Sequence, residues 1–238
     1  MLSIVMPTYN QAHYLRESLD SILEQSYGDF ELIVVNDGST DDTAKVLEAY
    51  ALKDDRIIIL EKENGGTGSA LNMGFFEASG EYETWFASDN VMFPHCLQTL
   101  MDYLAAHPDI DYVYSHCDIH QMDDSLMQCI GVKPLMAEVK HQEFTIQHIQ
   151  QAYFLGICWV WRRALRQRAG QWFQHDPCED YDMVLRMAYC GGQFGYVPDT
   201  LGWFRRHKNN ISTQIKKTSY PQQAKQHALD YAKEKGWL

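Results

Sequence analysis

The stretch Tyr82–Pro94 reads YETWFASDNVMFP. Its first half, with Tyr82, Thr84, Trp85 and Phe86, has the aromatic and β-branched composition that suits a strand. Ser88-Asp89-Asn90 then has turn chemistry, and Pro94 fits the first turn of a helix. A carboxylate, Asp89, therefore sits where a buried strand gives way to a loop. In an open α/β sheet that carboxyl edge is where ligands bind.

The same strand, loop and helix order recurs upstream. Leu2–Met6 is a short apolar run, and Pro7-Thr8-Tyr9-Asn10 ends it, with Asn10 placed to cap a helix bearing Leu15, Leu19, Ile22 and Leu23. Phe30–Val35 is a second buried strand. Asn36-Asp37-Gly38-Ser39 follows, and then a helix to about Tyr50. Arg56–Leu60 is a third strand, and the glycine-rich loop Asn64–Ser69 leads into a helix through Ala78. The opening stretch is the fourth strand, with a helix His95–His107 behind it. This alternation predicts an α/β fold with a mainly parallel central sheet and helices on both faces. Right-handed crossovers bring all four strand-end loops to one crevice.

The second half is less regular. Asp111–Ile119 reads as a strand whose polar residues alternate outward, and Asp123-Asp124-Ser125 as a hairpin turn. Arg162–Ala169 is a short helix ended by Gly170. Glu179-Asp180-Tyr181-Asp182 opens a helix that Gly191-Gly192 stops. Phe194–Val197 and Leu201–Phe204 read as two short strands. Arg205-Arg206-His207-Lys208 is a basic patch, and Pro221–Lys235 a polar, exposed helix. The domain expectation is residues 1–215 as one domain, in two halves 1–110 and 111–215, followed by a helical extension 216–238.

Composition removes several function classes. A net charge of −12 in 238 residues argues against nucleic acid as a partner, because binding it requires basic patches. No apolar run approaches a membrane span, and the N-terminus has no signal-peptide pattern. The 6 cysteines form no Cys-x-x-Cys pair, so a reduced, cytoplasmic protein is expected. His116-Cys117-Asp118-Ile119-His120 is the densest metal-like cluster, but no second pair completes a zinc site. Gly66-x-Gly68 lacks a third glycine, since position 71 is Leu71, and it follows the third strand. This argues against a dinucleotide oxidoreductase.

Five motifs in order, PTYN (7–10), VVNDGSTDDT (34–43), NGGTGSALNMG (64–74), the Ser88-Asp89-Asn90 turn and CEDYDMVLRM (178–187), resemble family 2 glycosyltransferases. Leu201–Ser212, LGWFRRHKNNIS, resembles the segment closing such domains, so the likeness runs from about Leu2 to Ser212. It implies the GT-A fold, with a smaller acceptor-side subregion. The implied activity is inverting transfer of a sugar from a nucleotide donor, commonly UDP-linked, to an acceptor hydroxyl of a carbohydrate or glycoconjugate. Peripheral membrane association is compatible with this.

The resemblance also implies roles. Pro7, Thr8, Tyr9, Asn10, Asp37, Asn64, Gly65, Gly68, Ser69, Ser88 and Asp89 would line the nucleotide, with Asn72 nearby; Asp37 would accept a uracil N–H. Asp89 and His207 would hold Mn²⁺ or Mg²⁺, and Arg206 and His207 would meet the diphosphate. Asp180 would be the base, aided by Glu179. At a helix N-terminus these two acids read equally as caps. Trp172 and Phe173 are the candidates for acceptor stacking. The chain departs from the family at one place: the usual Asp-x-Asp has Ala87 at its first position. A second reading therefore stays open, a relative that binds nucleotide sugar without turning it over.

Overall fold

The computed structural model describes residues 1–123, 128–134, 144–151, 155–174, 178–208, 210 and 219–238. Residues 124 and 125 of the expected hairpin turn, and 209, 211 and 212 of the closing segment, lie outside them. The first half alternates as expected: β1 (Leu2–Thr8), α1 (Ala12–Leu23), β2 (Phe30–Asp37), α2 (Thr43–Ala51), β3 (Ile57–Lys62), α3 (Thr67–Glu77) and β4 (Tyr82–Trp85). A two-residue strand β5 (Val91–Met92), absent from the sequence reading, precedes α4 (Cys96–Ala106). Then come β6 (Tyr112–Asp123), β7 (Gln128–Pro134), α5 (Ile146–Gln151), β8 (Trp159–Arg162), α6 (Arg163–Ala169), α7 (Glu179–Tyr189), β9 (Phe194–Arg206) and α8 (Tyr220–Glu234).

One sheet runs β3-β2-β1-β4-β8-β6-β9-β5, with β7 paired to β6. β1 pairs parallel with β2 and with β4, and β2 with β3, so these four strands end on one edge. β8 joins antiparallel to both β4 and β6, while β6 and β9 are parallel. Side chains alternate between two cores. Leu2, Ile4, Met6, Leu32 and Val34 meet Leu15, Leu19 and Ile22 of α1 and Val46 and Leu47 of α2. Val5, Ile33 and Val35 face Ala70, Leu71 and Phe75 of α3. Both faces are covered, which is why these strands are unbroken apolar runs. Glu83 in β4 is fully buried because Arg166 forks onto both its oxygens, at 2.6 and 2.8 Å, and Trp161 donates its indole N–H.

Several expectations are corrected. Asn10 does not cap α1. It adopts φ 54°, and its Oδ1 accepts from the backbone N–H groups of Thr40 and Asp41, tying the β1 and β2 loops together. Ser115 and His116 in β6 are buried rather than outward, with the Tyr196 ring of β9 edge-on to the His116 ring at 4.9 Å. The two expected strands from Phe194 are one. Pro198 and Asp199 are accommodated where the β6 register jumps from Ser115↔Val197 to His116↔Thr200. The last helix is not simply exposed, because Ala224, Ala228 and Ala232 are fully buried in the core that also holds α7.

Candidate functional site

The carboxyl ends of β1 to β4 carry the expected loops. At β1, Thr8 is buried and its Oγ1 has no hydrogen-bond partner among the described residues, while Tyr9 is exposed and Pro7 half-buried. At β2, Asp37 is buried and already engaged. Its Oδ1 accepts from Lys62 Nζ at 2.5 Å and Gly65 N at 3.0 Å, and its Oδ2 from Gly66 N at 2.8 Å. The carboxylate thus folds the glycine-rich loop onto β2, and its Oδ2 keeps one acceptor site. Lys62, which sequence reasoning missed, neutralises it.

Gly65 and Asn64 are exposed, and Ser69 is half-buried. Gly68 is not open to a ligand. A Cβ there would collide with the Phe173 carbonyl oxygen, so its bare backbone admits the chain's own 172–174 segment. Asn72 completes that seam: its Nδ2 donates to Trp172 O and its Oδ1 accepts from Trp172 N, both at 2.8 Å. Gly68 and Asn72 thus join the glycine-rich entry of α3 to the 172–174 segment.

At β4, Ser88, Asp89 and Asn90 are all buried. Asp89 Oδ2 lies 3.0 Å from His207 Nε2 and accepts from Asn210 Nδ2 at 3.2 Å. The expected ligand pair is thus brought together, and Asn210 is a partner the sequence reading missed. His207 Nδ1 is buried without a partner among the described residues. Neighbouring ligand atoms on an octahedral ion with bonds of about 2.1 Å stand about 3 Å apart, which matches the Asp89–His207 separation. These two groups fit a hard divalent cation whose remaining ligands are oxygens from a ligand and water. No set of three or more His, Cys, Asp or Glu side chains gathers for a metal among the described residues.

The basic patch is solvated only in part. Arg205 is buried; its Nε donates to Asp89 O at 2.7 Å, its NH2 group pairs with Glu17 at 2.5 Å, and its plane lies over the Tyr14 and Trp203 rings. It braces the Asp89 loop. Arg206, the next residue on β9, is half-buried, and Lys208 is exposed.

Asp180 is the second residue of α7 and is half-buried, beside a buried Glu179. Its Oδ1 accepts from the N–H of the next residue, Tyr181, at 2.7 Å. Asp180 also lines a small cavity of about 10 Å³ with Trp85, Tyr112, Trp159 and Trp172. Burial, with the Asp180 charge added, pushes the Tyr112 phenol well above its usual pKa. Trp172 is not an exposed acceptor platform. It is 3% exposed and its ring stacks on Phe75 at 5.9 Å, so it belongs to the core. Phe173 is half-buried with its ring 4.0 Å from His227.

The sequence profile of Glycosyl transferase family 2 matches residues 3–170. An uncharacterised glycosyltransferase of Rickettsia prowazekii is 39% identical over 134 residues, covering 56% of this chain and 41% of that protein. The chain therefore spans less than half the length of this relative. Two solved structures share the fold. S. aureus TarS 1–349 in complex with UDP-GlcNAc has a TM-score of 0.73 at 22% identity, over 89% of this chain and 60% of that one. The mannosyltransferase PcManGT from Pyrobaculum calidifontis, in complex with GDP-Man and Mn²⁺, has a TM-score of 0.73 at 22% identity, over 96% and 64%. With strand-end loops gathered on one edge and Asp89 facing His207 there, the chain belongs to glycosyltransferase family 2 and has the GT-A fold.

Proposed function

We propose that this chain transfers a sugar from a nucleoside-diphosphate donor, UDP-linked in the first instance, to a hydroxyl of a carbohydrate or glycoconjugate acceptor. The contact between Asp89 and His207 carries the reading. It joins the ends of β4 and β9 at the sheet edge where ligands bind in open α/β folds. TarS with UDP-GlcNAc and PcManGT with GDP-Man and Mn²⁺ support a nucleotide-sugar donor on this fold.

Tyr9, exposed beside buried Thr8, offers a ring to the base, and Ser88 and the Asn64–Gly65 backbone border the nucleotide. Asp37 acts mainly through the loop it holds. Asp89 and His207 would hold Mg²⁺ or Mn²⁺, which when bound neutralises the diphosphate. Arg206 adds positive charge beside it. Asp180 accepts the acceptor hydroxyl proton, with Glu179 helping to place it. The acceptor oxygen forms its bond to the anomeric carbon as the bond from that carbon to the diphosphate oxygen breaks. The leaving nucleoside diphosphate keeps the electron pair, and the configuration inverts in one displacement. Phe173 borders the acceptor side. No described helix is long and apolar enough to cross a membrane.

Ala87, in place of an aspartate, favours a second reading: nucleotide-sugar binding without turnover. Calorimetric titration of UDP, with Mn²⁺ and with chelator, on wild type and Asp89→Ala, combined with UDP-sugar hydrolysis, tests both. UDP binding that needs metal and Asp89, with measurable hydrolysis, supports the transferase. Binding without hydrolysis or transfer for any donor supports the second reading, no binding to UDP alone moves the donor to another nucleotide, and no binding to any nucleoside diphosphate overturns both.

A further inference from the structure

The C-terminal helix α8 reaches the acidic turn of α7 through one side chain. Asp182, two residues beyond Asp180, is fully buried. Its Oδ2 accepts from Arg186 Nε and NH2 at 2.8 and 2.5 Å, and its Oδ1 meets His227 Nδ1 at 2.6 Å. Arg186 is fixed in turn by Ala169 O at 2.6 Å and by the Tyr231 ring of α8. A buried carboxylate with both oxygens engaged in this way holds its backbone in one place.

The other side of His227 faces the 172–174 segment that packs on α3. Its ring lies 4.0 Å from that of Phe173. Phe173 presents its carbonyl to the bare backbone of Gly68 in the first turn of α3, and Trp172 beside it is clipped to Asn72 of the same helix. The alanines at 224, 228 and 232, all fully buried, let α8 approach closely enough for His227 to span both contacts. A continuous run of contacts therefore leads from α3, through residues 172 and 173 and His227, to Asp182 and the turn that bears Asp180.

We infer that His227 is a positioning residue, fixing the acid-bearing turn of α7 relative to the glycine-rich entry of α3. The inference rests on the proposed role of Asp180 for its effect on turnover, but not for its structural part. Small displacements of a reacting group lower kcat steeply, so the hydrogen bond and the ring contact should both appear in the rate.

The test uses the full chain with His227→Ala, His227→Gln and His227→Phe. Hydrogen exchange is followed in peptides covering 171–174, 178–186 and α8, with UDP affinity and UDP-sugar turnover measured alongside. His227→Ala should raise exchange in 171–174 and 178–186 together, leave α8 docked, keep UDP affinity within about twofold and lower kcat about tenfold or more. The Gln variant, which keeps a donor to Asp182, should restore protection at 178–186. The Phe variant, which keeps the ring contact, should restore it at 171–174. Unchanged exchange in both segments overturns the inference. So does exchange that rises equally throughout α8, because His227 would then merely hold the helix on. If wild type turns over no donor, the exchange result still decides the positioning role, and the missing turnover counts against the transferase reading alone.

Discussion

Asp89 and His207 lie 118 positions apart in the chain, and their side chains meet 3.0 Å apart. Both are buried, and the imidazole leaves Nδ1 unpartnered among the described residues. A buried polar atom left in this way costs about 1–3 kcal/mol, and such atoms commonly mark a site with work beyond packing. His207→Ala is expected to weaken Mn²⁺-dependent UDP binding about ten- to a hundredfold while leaving binding in chelator unchanged. Asn210→Ala removes one hydrogen bond to the same carboxylate and should change it less. Calorimetry in Mn²⁺ and in chelator measures both. Equal losses with and without metal would show that His207 only shapes the loop.

Asp180 is the test of the chemical step. Replacing it with Asn keeps the volume and an acceptor for the Tyr181 N–H, so the helix start should survive. The amide cannot take a proton from a hydroxyl. Transfer should fall about 10²–10⁴-fold, the range for loss of a positioned base, with UDP affinity unchanged. Retained transfer in Asp180→Asn would reduce the residue to a cap.

The first half of the chain was legible because its strands are buried on both faces and its loops carry turn chemistry. Leu2–Met6, Phe30–Val35 and Tyr82–Phe86 had no other place to go, and the parallel order followed. Long-range pairing was not legible. Nothing local announces that Arg205 would lie over Tyr14 and Trp203 and donate to the Asp89 carbonyl, so it read only as part of a basic patch. Trp172 lies in the loop its polar neighbours suggested, but its burial against Phe75, Trp85 and Trp161 was not readable from them. Gly68 was read as lining the nucleotide, and nothing local announced that its bare backbone also admits the Phe173 carbonyl. In each case the deciding partner lies far away in sequence, where periodicity carries no information.

The seam at Gly68 gives a stability prediction. Gly68→Ala should destabilise the chain by about 1–3 kcal/mol, the cost of overpacking against a neighbour that cannot yield easily, because the obstructing atom is backbone held by the Asn72 clip. Denaturant unfolding measures it. Ala has the better helix propensity, so an unchanged or raised midpoint would mean that the 172–174 segment is free to move away.

Glu31 gives a pH prediction away from the site. It joins β2 to the turn before β4: Oε1 accepts from Ser3 Oγ at 2.5 Å, Ser79 N at 2.7 Å and Ser79 Oγ at 2.9 Å. Partial burial pushes its carboxyl pKa up, but these hydrogen bonds outweigh that and hold it below the usual 4.5. A carboxylate with a lowered folded-state pKa stabilises the fold above its unfolded pKa, and that stability is lost as pH falls through the folded value. The loss should therefore begin near pH 4.5 and grow below it. Glu31→Gln cannot ionise, so it should be less stable than wild type at pH 7, and the gap should narrow as pH falls from 4.5. Urea unfolding midpoints at pH 7, 5, 4 and 3 check this, and parallel pH curves for the two proteins would show that Glu31 takes no part in acid sensitivity.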